Sequence, residues 1–132
     1  HGLNAFYDWN LLLDQHGGPN HAGNYCDAPM LYDTSSKQMN KRPSMVYYWH
    51  FSHFIHPGAV RIAFSRFTDD IDVTAWKNPD KSIAIVLLNR NGVSTACNIR
   101  IHEKITKLTL PPYAIGTLVL RSGVSDCSPE LL

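Results

Sequence analysis

Ile71-Asp72-Val73-Thr74-Ala75-Trp76, then Asn78-Pro79-Asp80, then Ile83-Ala84-Ile85-Val86-Leu87-Leu88-Asn89 decide how the second half of this chain folds. β-Branched and aromatic side chains dominate both runs, and Asn-Pro-Asp between them is turn chemistry, so the pair reads as an antiparallel hairpin. In the first run Ile71, Val73 and Ala75 alternate with Asp72, Thr74 and Trp76. That period predicts one buried face and one wet face.

Outward from this hairpin the texture continues. Residues 59–67, 93–101, 105–110 and 115–120 are further short runs, punctuated at Asn91-Gly92 and Pro111-Pro112. Asn-Gly suits a tight hairpin because both residues tolerate positive φ. The succession predicts an antiparallel β-sandwich over residues 59–121, with residues 122–132 a frayed tail.

Upstream the period changes. Val46, Tyr47, Phe51, Phe54 and Ile55 recur near helical spacing, Pro43 suits a first helical turn, and Pro57-Gly58 stops the run. A helix over residues 43–56 is predicted. Before it, residues 28–32 form a short extended piece and Asp33-Thr34-Ser35-Ser36 turns the chain. Residues 10–27 are a long polar stretch containing Gly17-Gly18-Pro19-Asn20, and loops of that length in compact domains tend to carry function. Residues 3–9 (LNAFYDW) are apolar without alternation. They suit a strand buried on both faces of a parallel sheet, which cannot stand alone.

Global properties exclude several classes of function. With 132 residues there is room for one ordinary domain and not two. A net charge of +1 with seven neutral histidines creates no field for nucleic acid or an anionic membrane. The longest apolar run, residues 83–88, is strand-sized, so no transmembrane segment is expected. The chain opens on His1-Gly2-Leu3 without a Met or a signal-type leader, and a missing upstream portion is expected. Cys26, Cys97 and Cys127 show no metal-type spacing and no assignable disulfide.

Tyr7-Asp8-Trp9-Asn10-Leu11-Leu12-Leu13-Asp14, then Gly17-Gly18-Pro19-Asn20, then Gly23-Asn24-Tyr25 resemble a signature of glycoside hydrolase family 30, in which the glucosylceramidases fall. His50-Phe51-Ser52-His53-Phe54-Ile55 with Pro57-Gly58 and Val60-Arg61 resembles the helix leading into that family's C-terminal β domain. Residues 71–75, 78–80 and 83–90 resemble its sandwich strands. The resemblance runs from residue 3 to about residue 120. It implies an α/β barrel remnant plus an all-β domain: the last βα unit of a (β/α)8 TIM barrel in residues 1–58, then the antiparallel C-terminal β-sandwich in 59–121.

It also implies a chemistry. The family is retaining: one Glu protonates the leaving oxygen and a second attacks the anomeric carbon, with carboxyls about 5–5.5 Å apart. Their place in the family is upstream of His1, so no catalytic residue is expected in this chain. What remains would shape the sugar pocket. Trp9 offers a ring face to the C–H face of a sugar, and Asn24 offers a donor and an acceptor to its hydroxyls. Tyr25 and Asn10 are further candidates for that wall, and Asp8 is expected to hold a neighbour in place. The expected partner is a β-glucoside or glucosylceramide-like substrate, with no cofactor, no metal and no nucleic acid. Family members of lysosomal, secreted and periplasmic type make an extracytoplasmic site the expectation.

Plainer readings stand beside these. Apart from the resemblance, Trp9 at a strand end reads as core and Asn24 after Gly23 as a turn residue. Asp8 and Asp14 are six residues apart across an apolar run, which argues against a shared acid–base site. His50, His53 and His56 step progressively off one helix face and read as structural or solvent-facing. Cys26 has no evident activating base. Two functional alternatives remain: a non-catalytic carbohydrate-binding or interaction sandwich module, and a β-1,6-glucanase or xylan-active member of the same family.

Overall fold

The computed structural model describes residues 5–121 and 129–131. The chain divides into two compact units, residues 1–47 and 48–132.

The first unit is a small three-stranded sheet. Strand β1 (Leu12–Asp14) runs parallel to β2 (Met30–Asp33), and β2 pairs antiparallel with β3 (Gln38–Lys41). A parallel pair needs a crossover of a dozen or more residues, and the polar stretch between Asp14 and Met30 supplies it. The β2–β3 turn forms as its sequence dictates: the Asp33 carboxylate accepts from the Ser35 and Ser36 amides at 2.8 and 3.2 Å, and Lys37 closes it at φ 57. Strand β3 is exposed throughout and polar except for Met39, so no alternation marked it in the sequence.

Residues 5–9 lie in no strand, contrary to the reading of residues 3–9; Leu3 and Asn4 fall outside the described residues. A strand buried on both faces requires a neighbour on each side, and residues 5–9 belong to none of the described sheets. The first described strand begins at Leu12, three residues past Trp9, where Met30 is available.

Helix α1 (Pro43–Phe54) has Pro43 at its first position, where the missing N–H costs no bond. It ends two residues short of the expected boundary, and Gly58 turns the chain at φ 85. No helix among the described residues is long and apolar enough to cross a membrane.

The second unit is the expected antiparallel sandwich. Strands β4 (Val60–Arg61), β5 (Ile71–Lys77), β6 (Ile83–Asn89), β9 (Ile115–Leu120) and β10 (Pro129–Leu131) form one sheet in the order β10-β9-β6-β5-β4. Strands β7 (Thr95–Ile101) and β8 (Lys104–Leu110) form a second, two-stranded sheet, turned at His102 with φ 53. Strand β4 occupies only two residues of the run read as 59–67. Part of the expected frayed tail is instead strand β10, paired with β9 from Pro129↔Leu118 to Leu131↔Gly116.

The core lies between these sheets. Ile71, Ala75, Ile85, Leu87 and Leu118 from the large sheet meet Leu108 and Leu110 from β8, with half-buried Cys97, Ile99 and Ile101 of β7 alongside. Each fully buried Leu or Ile contributes about 1.5–3 kcal/mol. Desolvation also raises the Cys97 thiol pKa above its ordinary value, favouring the protonated form.

The outer face of the large sheet departs from the wet surface that alternation predicted. Asp72, Thr74 and Trp76 are half-buried, Val86 is buried, and the Trp76 indole nitrogen is inaccessible. Around Thr117 that face is covered by the last turns of α1: His50 Nδ1 lies 2.8 Å from Thr117 Oγ1, and both residues are buried.

Candidate functional site

The candidate site is the crossover loop of the first unit with the segment that precedes β1. Asp14, the last residue of β1, organises the loop's beginning. Its Oδ1 accepts hydrogen bonds from the amides of His16 (2.8 Å) and Gly18 (2.9 Å). Its own amide donates to the Gly18 carbonyl at 2.6 Å, and its carbonyl accepts from the Gly17 amide at 3.0 Å. Those amide donors, Gly18 first and then His16, hold the Asp14 carboxyl below its ordinary pKa.

The loop then folds back on itself. The Cys26 amide donates to the Gly17 carbonyl at 3.2 Å, and Gly17 takes φ 85. A Cβ at Gly17 would run into the Cys26 carbonyl oxygen, so this close approach requires glycine. The thiol of Cys26 lies 3.8 Å from the Asn24 carbonyl oxygen. Asp27 anchors the returning limb through its pair with Arg42 at 3.0 Å, and the Met30 amide donates to the Leu11 carbonyl at 3.1 Å.

The sequence candidates occupy two segments of this unit. Trp9 and Asn10 precede β1; Asn24 and Tyr25 sit on the returning limb. Trp9 is 86% exposed and Tyr25 66%, Asn24 is exposed and Asn10 half-buried. No hydrogen bond joins the two pairs. Asp8, expected to steady a neighbour, accepts from the Trp9 amide at 2.8 Å. Asp14 carried no assigned role in the sequence reading, although a strand-terminal Asp three residues before Gly17-Gly18 is a recognisable turn signal.

The histidines separate. His50 is buried against Thr117, whereas His53 stacks on Trp49 with ring centroids 4.8 Å apart and an interplanar angle of 12°.

Comparison with known proteins agrees with this architecture. Residues 2–55 match the glycosyl hydrolase family 30 TIM-barrel domain, and residues 58–118 match the glycosyl hydrolase family 30 beta sandwich domain. The chain belongs to glycosyl hydrolase family 30. Its first unit and helix are thus a TIM-barrel tail, and the sandwich is the family's C-terminal β domain.

Among relatives of this family 30 chain, putative glucosylceramidase 1 of Caenorhabditis elegans is 40% identical over 129 residues, covering 92% of this chain and 25% of that protein. Lysosomal acid glucosylceramidase of Mus musculus is 33% identical over 121 residues, covering 90% and 24%. Among solved structures, SrfJ from Salmonella typhimurium superposes with a TM-score of 0.81 at 36% identity, over 87% of this chain and 26% of that one. The endo-beta1,6-glucanase BT3312 gives 0.79 at 27%, over 86% and 26%. The family 30 chain therefore spans about a quarter of the length of the relatives it matches.

Proposed function

We propose that this chain is the C-terminal portion of a retaining β-glycosidase of the glucosylceramidase type, hydrolysing β-glucosidic bonds. It supplies one wall of the sugar pocket and the β-sandwich; the two catalytic glutamates come from elsewhere in the protein. The division follows the sequence reading, with the barrel portion in residues 1–58, the sandwich in 59–121 and the tail in 122–132. The observation that carries this reading is the 40% identity over 129 residues to putative glucosylceramidase 1 of Caenorhabditis elegans, of which the match covers a quarter.

The chain's own carboxylates support the division of labour. Its glutamates are Glu103, exposed in the β7–β8 turn, and Glu130, on β10. Asp14 is committed to two backbone amides and Asp27 to Arg42. Double displacement needs a facing pair of carboxyls about 5–5.5 Å apart, and the reading assigns that pair to the rest of the protein. The reading gives Trp9 the apolar face of the sugar and Asn24 its hydroxyls, with Tyr25 and Asn10 completing the wall and Asp8 steadying Trp9 through its amide. These groups orient the glycoside, and the carboxylates break the bond. The sandwich braces the barrel.

The likeness to an endo-beta1,6-glucanase supports a second choice of substrate within the same chemistry, a β-1,6-glucan in place of a glucosylceramide-like lipid. A relative described as lysosomal supports an extracytoplasmic or lysosomal site. The test is direct. The purified chain alone should show no turnover of an aryl β-glucoside, while the full-length protein carrying it hydrolyses the same substrate with retention at the anomeric carbon. Turnover by the isolated chain that disappears in Asp8→Asn would refute this reading.

A further inference from the structure

We propose that Asp14 is the positioning residue for the sugar-facing limb of the crossover loop, setting where Asn24 and Tyr25 stand through Gly17 and Cys26. The inference rests on the reading of Asn24 and Tyr25 as sugar contacts. It adds a residue to that site which touches no sugar itself.

Every hydrogen bond that closes the turn from Asp14 to Gly18 has Asp14 at one end. The carboxylate takes the His16 and Gly18 amides, and the backbone takes Gly18 and Gly17. This turn is the platform on which the returning limb rests, because Gly17 accepts from the Cys26 amide and leaves no space beside the Cys26 carbonyl. Cys26 is bonded directly to Tyr25 and lies two residues from Asn24, so a shift of Gly17 is transmitted to both. Polar contacts are lost steeply with distance, and a displacement near 1 Å is enough to weaken a sugar-binding group severely.

A carboxylate suits this task because it is acceptor-only, and its bonds to amide N–H groups are charge-assisted. Both donors converge on Oδ1, while Oδ2 packs so close to Gly18 that a Cβ there would stand 3.1 Å from it. An amide in the same place keeps one suitable oxygen. A longer acid moves both.

The experiment uses the full-length protein and an aryl β-glucoside. Asp14→Ala should raise KM by about tenfold with kcat nearly unchanged, the signature of lost uniform binding. Asp14→Asn should restore most of the affinity. Asp14→Glu, which keeps the charge, should raise KM because its oxygens are displaced by a methylene. Gly17→Ala, acting on the same contact from the other side, should raise KM too, and the double variant with Asp14→Ala should fall short of the product of the singles. An unchanged KM in the Ala or Glu variant, or a fall in kcat at constant KM, overturns the proposal, as does an Asn variant no better than Ala. Asn24→Ala separates the two readings. If it raises KM while the Asp14 variants do not, only the positioning role fails; if it leaves KM unchanged, the sugar-wall reading fails and takes the positioning role with it.

Discussion

The side-chain amide of Asn78 donates a 2.9 Å hydrogen bond to the carbonyl oxygen of Phe54, the last residue of α1. The same amide reaches Ser82 Oγ at 3.0 Å, and Asn78 Oδ1 accepts from the His56 amide at 3.0 Å. A single residue from the β5–β6 turn thus satisfies the Phe54 carbonyl, which the helix end leaves without an intrahelical partner, and the His56 amide just beyond it.

Asn78→Ala should therefore destabilise the protein by about 2–4 kcal/mol, since it strands a buried carbonyl and an amide together. Urea denaturation measures it. A loss below about 0.5 kcal/mol would place these groups in water rather than in the fold.

Thr117→Val should cost about 1–3 kcal/mol, because it keeps the shape of the side chain and removes the hydroxyl that meets buried His50. An unchanged thermal midpoint would show that His50 is held by other means.

Asn89 is fully buried, and its amide is shared among the carbonyls of Val93, Leu110 and Pro111 while Oδ1 accepts from the Asn91 amide. Asn89→Leu should cost about 3 kcal/mol or more, as several buried polar groups lose their partner at once. Hydrogen exchange should localise the loss to the strand ends joined by residues 89–95 and 110–114.

Asp80 carries a pH dependence. The Ser82 hydroxyl and then the Ser82 amide hold its carboxyl below the ordinary aspartate pKa. A depressed folded-state pKa gives stability that is present above the unfolded value and lost as pH falls through the folded one. Asp80→Asn should make stability less sensitive to acid over that range, with Asp14 and Asp33, also depressed, accounting for the remaining slope. An unaltered acid slope in the variant would remove Asp80 from the balance.

Trp9→Ala in the full-length protein should lower kcat/KM for an aryl β-glucoside by about tenfold, roughly 1.4 kcal/mol of transition-state binding. Its ring is largely exposed in this chain, so folding stability should hardly move. A large fall in thermal midpoint would return Trp9 to the core.

Where a pattern was local, it was legible from residues alone. Strands β6 and β9 begin and end where β-branched runs meet their turn signals, and α1 starts at its proline. The candidate site was only half legible. Trp9, Asn24 and Tyr25 were singled out by resemblance, whereas Asp14 could be assigned its work only once Gly18 and Cys26 were seen to return towards it.

The sequence by itself determined the antiparallel sandwich, the helix before it and the crossover loop, because period, turn residues and glycine are properties of adjacent positions. Tertiary structure alone decided the rest. It left residues 5–9 without a strand, since a strand is made by its neighbours' hydrogen bonds, and it paired exposed β3 with β2. It covered the face that alternation had marked as wet, and it chose which polar side chains, Asn78, Asn89 and His50, would be buried. A polar group can be buried only where distant parts of the chain bring it partners, and nothing in its immediate sequence records them.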